Sequence, residues 1–310
     1  MPKTMISISK PASAAQIEID PREFREKFPN QGFKVRHNLC NLSHFDIESL
    51  VDLAQRLPKQ DLEYYSGNVG INQDPKSHPS NGLSVAETVR RIEECGSWMV
   101  LKNVQQDPVY GKLLREVLDS VYCNLDPSFD GMHREEAFIF ISSPNSVTPY
   151  HLDEEHNFLC QVRGTKEVNM WDPKDRTVLP ETQAEHMLQI WHRPDYHRNM
   201  KFQESFQERA TVFPLAPGEA LHFPVGAPHW VKNGPAVSIS FSITWRSKLS
   251  ERQAIIYFVN RKLRKFGLTP LAPGLSAFRD SLKHGIFHSV RVLGRVFGGS
   301  WLKKSQAKWA

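Results

Sequence analysis

Thr148-Pro149-Tyr150-His151-Leu152-Asp153-Glu154-Glu155-His156-Asn157-Phe158-Leu159-Cys160-Gln161-Val162-Arg163-Gly164-Thr165-Lys166 is the stretch that decides the reading of this chain. His151 and Asp153 stand at i and i+2, so on an extended strand they point to one face, about 6.6 Å apart along the backbone. An imidazole and a carboxylate so placed can share one ion, but they need a third ligand. His229 is the candidate, because its surroundings are organised: Pro217-Gly218-Glu219, a strand Ala220–Phe223, then Pro224 to Pro228. A Gly/Pro turn delivers this histidine at the start of a new strand. Two histidines and a carboxylate, with coordination positions left open, suit a non-haem Fe(II) oxygenase. The plainer reading is a chance His-x-Asp in a loop.

Downstream residues add weight. Lys166, Val168 and Met170 alternate with Thr165, Glu167 and Asn169, which puts Lys166 on the apolar face of its strand. An inward ammonium is costly without an anion. The functional reading is a salt bridge to the carboxylate of an acidic co-substrate; the alternative is a lysine snorkelling off the strand end. Gly164 permits the hairpin that returns this strand beside Asn157–Val162.

Outward from this centre, Ala137–Ile141 and runs at 150–153, 157–162, 165–171, 219–224, 229–232 and 237–245 read as short strands split by turn signals. Such spacing predicts a sandwich or small barrel. The long polar segment 172–216 between them is expected to form a substrate-binding lip. The first third reads as mainly helical: Asp46–Leu57, a capping box at Ser84/Glu87 opening a helix to about Glu94, and a helix from Pro108 to about Leu125 with Val109, Leu113, Leu114, Val117 and Val121 inward. Ser97–Val104 reads as a strand, and Tyr64–Asn81 as a loop. Beyond the strands, Ser250–Phe266 and a second helix with Leu275, Phe278, Leu282, Ile286, Val290, Leu293 and Phe297 in one stripe complete the pattern.

Composition narrows the classes. The 310 residues are 40% apolar and 24% charged, a globular balance. Cys40, Cys95, Cys123 and Cys160 form no C-x-x-C pair, which excludes a disulfide scaffold and a cysteine zinc site. They read as buried small hydrophobes. No run of 18 apolar residues and no signal-peptide core is present, so a cytoplasmic location is expected. The net charge of +5 is uneven: from Arg246 onward there are 14 Lys and Arg against 2 Asp and Glu, a net +12, which leaves −7 on the body.

The run 148–166 resembles the JmjC/cupin-like Fe(II)- and 2-oxoglutarate-dependent oxygenases, with greatest similarity to the branch of the asparaginyl hydroxylase that inhibits hypoxia-inducible factor. The resemblance covers roughly 97–245. It implies a mainly β fold with flanking helices around a double-stranded β-helix (jelly-roll, cupin-like) core. It also implies that His151, Asp153 and His229 hold Fe(II), and that Thr148, Asn157 and Lys166 bind 2-oxoglutarate. Dioxygen is then the second co-substrate, and decarboxylation to succinate is coupled to C–H oxidation, as in a hydroxylase. That branch carries an asparagine near Ser242; here the hydroxyl either contacts the co-substrate or only solvates the face. The segment 172–216 does not match the branch, so its substrate residues do not carry over. A protein side chain or a small molecule is the expected substrate. A non-catalytic metal-binding cupin, acting as a regulator or sensor, is the alternative.

The expected organisation is 1–96 as a helical and loop region on the core, 97–247 as the catalytic unit and 248–310 as a basic helical region. For the basic tail the first reading is a two-helix element that forms a homodimer interface or caps the barrel, the second an anionic membrane surface, and nucleic acid comes last because no reader motif accompanies the charge. His156 reads as an extra ligand or a surface or neighbouring residue, His222 as a hydrogen-bond support for the metal site. Trp191, His192, Arg193, Asp195, Tyr196 and His197 read as a substrate clamp or a solvated loop.

Overall fold

The computed structural model describes residues 14–67, 69–73, 80–126, 129, 131–190 and 199–296. Eight strands build the core: β5 (His133–Ser142), β6 (Val147–His151), β7 (His156–Arg163), β8 (Lys166–Met170), β9 (Thr211–Leu215), β10 (Glu219–Phe223), β11 (His229–Asn233) and β12 (Ser238–Arg246). They are numbered here after four earlier strands, β1 (Ile17–Glu18), β2 (Phe33–His37), β3 (Leu62–Ser66) and β4 (Ser97–Leu101). There are two antiparallel sheets, one ordered β1-β2-β10-β7-β12-β5-β4-β3 and the other β6-β11-β8-β9; from β5 onward the chain alternates between them, except that β8 and β9 both lie in the smaller one. Successive core strands crossing from sheet to sheet in this way make a double-stranded β-helix with a jelly-roll core.

The alternation of side chains explains why the larger sheet has two different faces. On β12, Ile239, Phe241, Ile243 and Trp245 are fully buried on the outer face, while Ser238, Ser240, Ser242 and Thr244 line the inner face. Four helices precede the core, α1 (Pro21–Lys27), α2 (Ile47–Arg56), α3 (Val85–Arg90) and α4 (Pro108–Tyr122); α2 and α4 cover the outer face and contribute Leu50, Leu53, Leu114 and Val117 to one apolar cluster. Burying each such side chain contributes about 1.5–3 kcal/mol. Gly164 closes the β7–β8 hairpin at φ +70°, where an added Cβ would overlap the Val237 carbonyl oxygen.

Several expectations are corrected. The first third holds more helix than strand, as expected, but β1, β2 and β3 were not foreseen: they extend both edges of the larger sheet, and β3 takes residues read as loop. LEYYS is short and half-buried along its length, so it shows no clean alternation. Val109 is 51% exposed rather than inward, because at the first turn of α4 it points away from the sheet. The segment 172–216 is not a plain lip. It contains α5 (Glu181–Met187) and β9, and Val178, Leu179, Met187, Phe202 and Phe206 bury themselves against Tyr150 and Trp171. The Trp171 indole N–H donates to the Phe206 carbonyl at 2.7 Å, fixing this cluster to the smaller sheet. The proposed clamp residues 191–198 lie outside the described residues. Cys160 is buried, but Cys123 is exposed and Cys40 and Cys95 are only half-buried.

Two helices follow the core, α6 (Lys248–Lys265) and α7 (Ala277–Val296). Ser247 and Ser250 cap α6 reciprocally, and Arg264 donates to the buried Glu185 carboxylate of α5 at 2.6 Å. The apolar stripe foreseen on α7 exists, but it faces outward: Phe278 is 79% exposed, while Phe287, outside the stripe, is the aromatic packed inward near Phe258. Among the described residues, no helix is long and apolar enough to cross a membrane.

Candidate metal centre

Strand pairing brings the three metal-ligand candidates together. His229, the first residue of β11, lies opposite His151, the last of β6. Their ring centroids are 4.1 Å apart. Asp153 follows β6 in the connecting loop, not within a strand, and its Oδ2 lies 3.9 Å from His151 Nε2 and 3.8 Å from His229 Nε2. One ligand atom from each residue falls within 4.8 Å of the others.

The backbone sets the chemistry of both imidazoles. His151 Nδ1 is 2.7 Å from the Pro149 carbonyl, and His229 Nδ1 is 2.9 Å from the Ala227 carbonyl. A carbonyl can only accept, so each Nδ1 carries the hydrogen and each Nε2 turns a lone pair toward Asp153. That is the tautomer a metal ligand requires, held by the contacts that orient such ligands. Burial, reinforced by the neighbouring His151, pushes the His229 pKa down to about 3, against the opposing pull of Asp153. The buried ring is thus neutral and ready to coordinate. The loops are tied together as well: the Gly226 N–H donates to the Asp153 carbonyl at 2.7 Å. Gly226 sits at φ +76°, and a Cβ there would lie 2.7 Å from Leu188 Cδ1.

A cavity of about 730 Å³ opens beside these ligands, and Thr148, Asn157, Lys166 and Ser242 line it together with His151, Asp153 and His229. Lys166 is only 7% exposed. Among the described residues its ammonium has no hydrogen-bond or ion-pair partner, and burial alone pulls its pKa down to about 7. Ser242 lines the cavity and donates to Asn157 Oδ1 at 2.8 Å, which fixes the Asn157 amide between β12 and β7. Arg246 closes the rim, donating to Glu154 at 2.9 Å and Glu155 at 2.7 Å, the two residues that follow Asp153.

His156 and His222 do not belong to this centre. They lie on the outer face of the larger sheet, packed with Phe28. His156 Nε2 pairs with Ser247 Oγ at 3.2 Å, and His222 Nδ1 with the Gln31 carbonyl at 2.9 Å. Strand alternation decides this, since Asn157 and Phe223 take the cavity side. Conversely, Tyr65, Trp98, Phe138 and Phe140 form a cavity wall that sequence reading missed. The signal lay in Ala137–Ile141, where the aliphatic residues are fully buried and the two phenylalanines alternate with them on the other face.

A model of the family described as "Cupin-like domain" matches residues 53–251. The chain belongs to this cupin-like family. Within the wider set, 145 residues are 28% identical to the JmjC domain-containing protein D of Dictyostelium discoideum. That match covers 43% of this chain and only 31% of the relative's own length. An X-ray structure of E. coli ycfD shares the fold, with a TM-score of 0.51 and 17% identity over 90% of this chain and 69% of that one. Another structure of the same E. coli protein, a ribosomal oxygenase, in complex with cobalt and 2-oxoglutarate has a TM-score of 0.49 and 16% identity, covering 90% of this chain and 68% of that one.

Proposed function

We propose that this cupin-like protein is an Fe(II)- and 2-oxoglutarate-dependent oxygenase, a hydroxylase acting on a protein side chain or a small molecule. The observation that carries the proposal is Lys166: a buried ammonium without a partner among the described residues, facing the same cavity as a His-Asp-His set. A metal-binding fold with no further task would lose stability by burying that charge. An oxygenase needs it, to neutralise the distal carboxylate of a diacid whose other end lies at the metal.

The donor set fits a divalent first-row metal: two neutral imidazoles and one carboxylate on one side, open positions on the other. Fe(II) bound there supplies the redox chemistry that couples oxidative decarboxylation of 2-oxoglutarate by dioxygen to oxidation of a substrate C–H bond. The chain's own residues bind and orient. His151 and His229 present fixed Nε2 lone pairs. Lys166 holds the distal carboxylate, with the Thr148 hydroxyl on the same wall. Asn157, locked by Ser242, keeps its amide N–H₂ for the bound diacid or the substrate. The cavity is of the size that takes a drug-sized ligand, larger than a five-carbon diacid needs, and the aromatic wall is left for substrate.

Thr148, Asn157 and Lys166 also support the finer placement, in the asparaginyl hydroxylase branch, which belongs to the same proposal. So does the division into an N-terminal region 1–96, a catalytic unit 97–247 and a basic region 248–310. The free thiols and ferrous chemistry support a reducing, cytoplasmic compartment. The test is succinate formation by the purified protein with Fe(II), 2-oxoglutarate and air, without added substrate. Slow metal-dependent succinate release is expected. Its absence, with metal binding intact, would instead leave a metal-binding regulator.

A further inference from the structure

Exposed apolar surface is concentrated at one end of this protein. Eleven of the fourteen exposed large apolar side chains among the described residues lie between Leu249 and Leu293. Phe266 (83% exposed) and Leu275 (70%) flank the joint between α6 and α7, and Phe278, Leu282, Ile286 and Leu293 continue the band along α7. A 20-residue helix is about 30 Å long, so the band is a long strip rather than a spot. Scattered apolar residues need no explanation, but a contiguous strip marks an interaction surface.

What covers the strip is decided by charge. From Arg246 onward the chain carries 14 Lys and Arg against 2 Asp and Glu. Lys262 and Lys265 are exposed just before Phe266, and Arg279 is exposed beside Phe278. Lys262 lies over the Phe258 ring at 5.1 Å, and its pKa is lowered by partial burial and by the cations of Lys265 and Arg261. These cations crowd one another and favour an anionic surface. A second copy of the chain is the wrong occupant: Arg246 and Arg264 are paired with carboxylates of the body, but Lys262, Lys265 and Arg279 stand exposed beside the strip, and pairing two strips would bring these like charges together.

We infer that the joint and outer face of α7 dock on an anionic phospholipid bilayer, the apolar strip entering the acyl boundary while the flanking cations meet lipid headgroups. A helix of this kind lies in the interface plane without spanning it. The acidic body, net −7, is repelled and stays in solution, tethered by its tail.

The test is co-flotation of the full chain with phosphatidylcholine vesicles with and without phosphatidylserine, alongside sedimentation velocity. Binding is expected only with phosphatidylserine, and weakening as salt rises. Each cation near the surface is worth roughly fivefold in affinity, so Lys262→Glu with Lys265→Glu should reduce binding by at least about 25-fold. Phe278→Glu with Leu282→Glu should abolish it; both side chains are exposed, so the fold, checked by circular dichroism, is kept. No flotation with phosphatidylserine vesicles, or flotation untouched by the Phe278/Leu282 variant, overturns the inference. A dimer dissociated by that variant, without vesicle binding, overturns it in favour of a second copy.

Discussion

Lys166→Met separates what this residue does for the fold from what it does for a ligand. In the free protein the ammonium is 7% exposed, and burial takes its pKa from 10.5 to about 7. Between those values the unfolded chain binds more protons than the folded one, so stability rises as pH rises from about 7 to about 10.5. Below the folded pKa both states are charged and the burial penalty is fully present. Lys166→Met removes the penalty: at neutral pH the metal-free variant should be at least as stable as the parent, and its Tm should lose that part of its pH slope. Toward 2-oxoglutarate the effect has the opposite sign. Removing one partner of a buried ion pair costs about 3–5 kcal/mol, which is two to nearly four orders of magnitude in Kd. The assay is isothermal titration of Mn(II)-loaded protein with 2-oxoglutarate in buffers of different ionisation enthalpy. At about pH 8 the parent's lysine is mostly neutral before binding, so close to one proton should be taken up per ligand. The variant should take up none, with Mn(II) affinity unchanged. An unchanged Kd, or proton uptake that survives the substitution, would refute the reasoning.

Further outcomes follow from single contacts. Ser242→Ala removes the hydrogen bond to Asn157 and should cost about 1 kcal/mol of stability by urea titration, with a several-fold weaker 2-oxoglutarate Kd. Gly226→Ala forces a Cβ against Leu188 in a left-handed conformation. It should cost about 1–3 kcal/mol and weaken Mn(II) binding, because the same residue holds the Asp153 carbonyl. Arg246→Met takes away the cation bound by Glu154 and Glu155 and should lower stability by about 3 kcal/mol in thermal unfolding. Asp153→Ala should abolish tight Mn(II) binding, measured by electron paramagnetic resonance, while leaving the metal-free Tm within a few degrees of the parent.

The sequence was most legible where strand alternation meets a fully buried face. Ile239, Phe241 and Ile243 alternate with serines, and Lys166 shares a face with Val168, so both the jelly-roll strands and the inward lysine could be read directly. Short edge strands were not legible. Thr211–Leu215 contains Pro214 and is largely exposed, so neither propensity nor alternation marks it. His156 and His222 misled because a histidine's chemistry is the same on either face, and only the pairing register told the faces apart. The α7 stripe shows the limit of periodicity: spacing groups Phe278, Leu282 and Ile286 on one side of the helix without saying what lies against that side. The cavity wall of Tyr65 and Trp98 depends on β3 joining β4, a pairing between residues more than thirty positions apart in places.

The most direct test of the central claim is a crystal structure with Mn(II) and 2-oxoglutarate, read through the manganese anomalous difference map. One strong peak is expected within bonding distance of His151 Nε2, His229 Nε2 and an Asp153 carboxylate oxygen, with the far carboxylate of the diacid on Lys166 Nζ. A metal held elsewhere, or a diacid that leaves Lys166 without a contact, would contradict it.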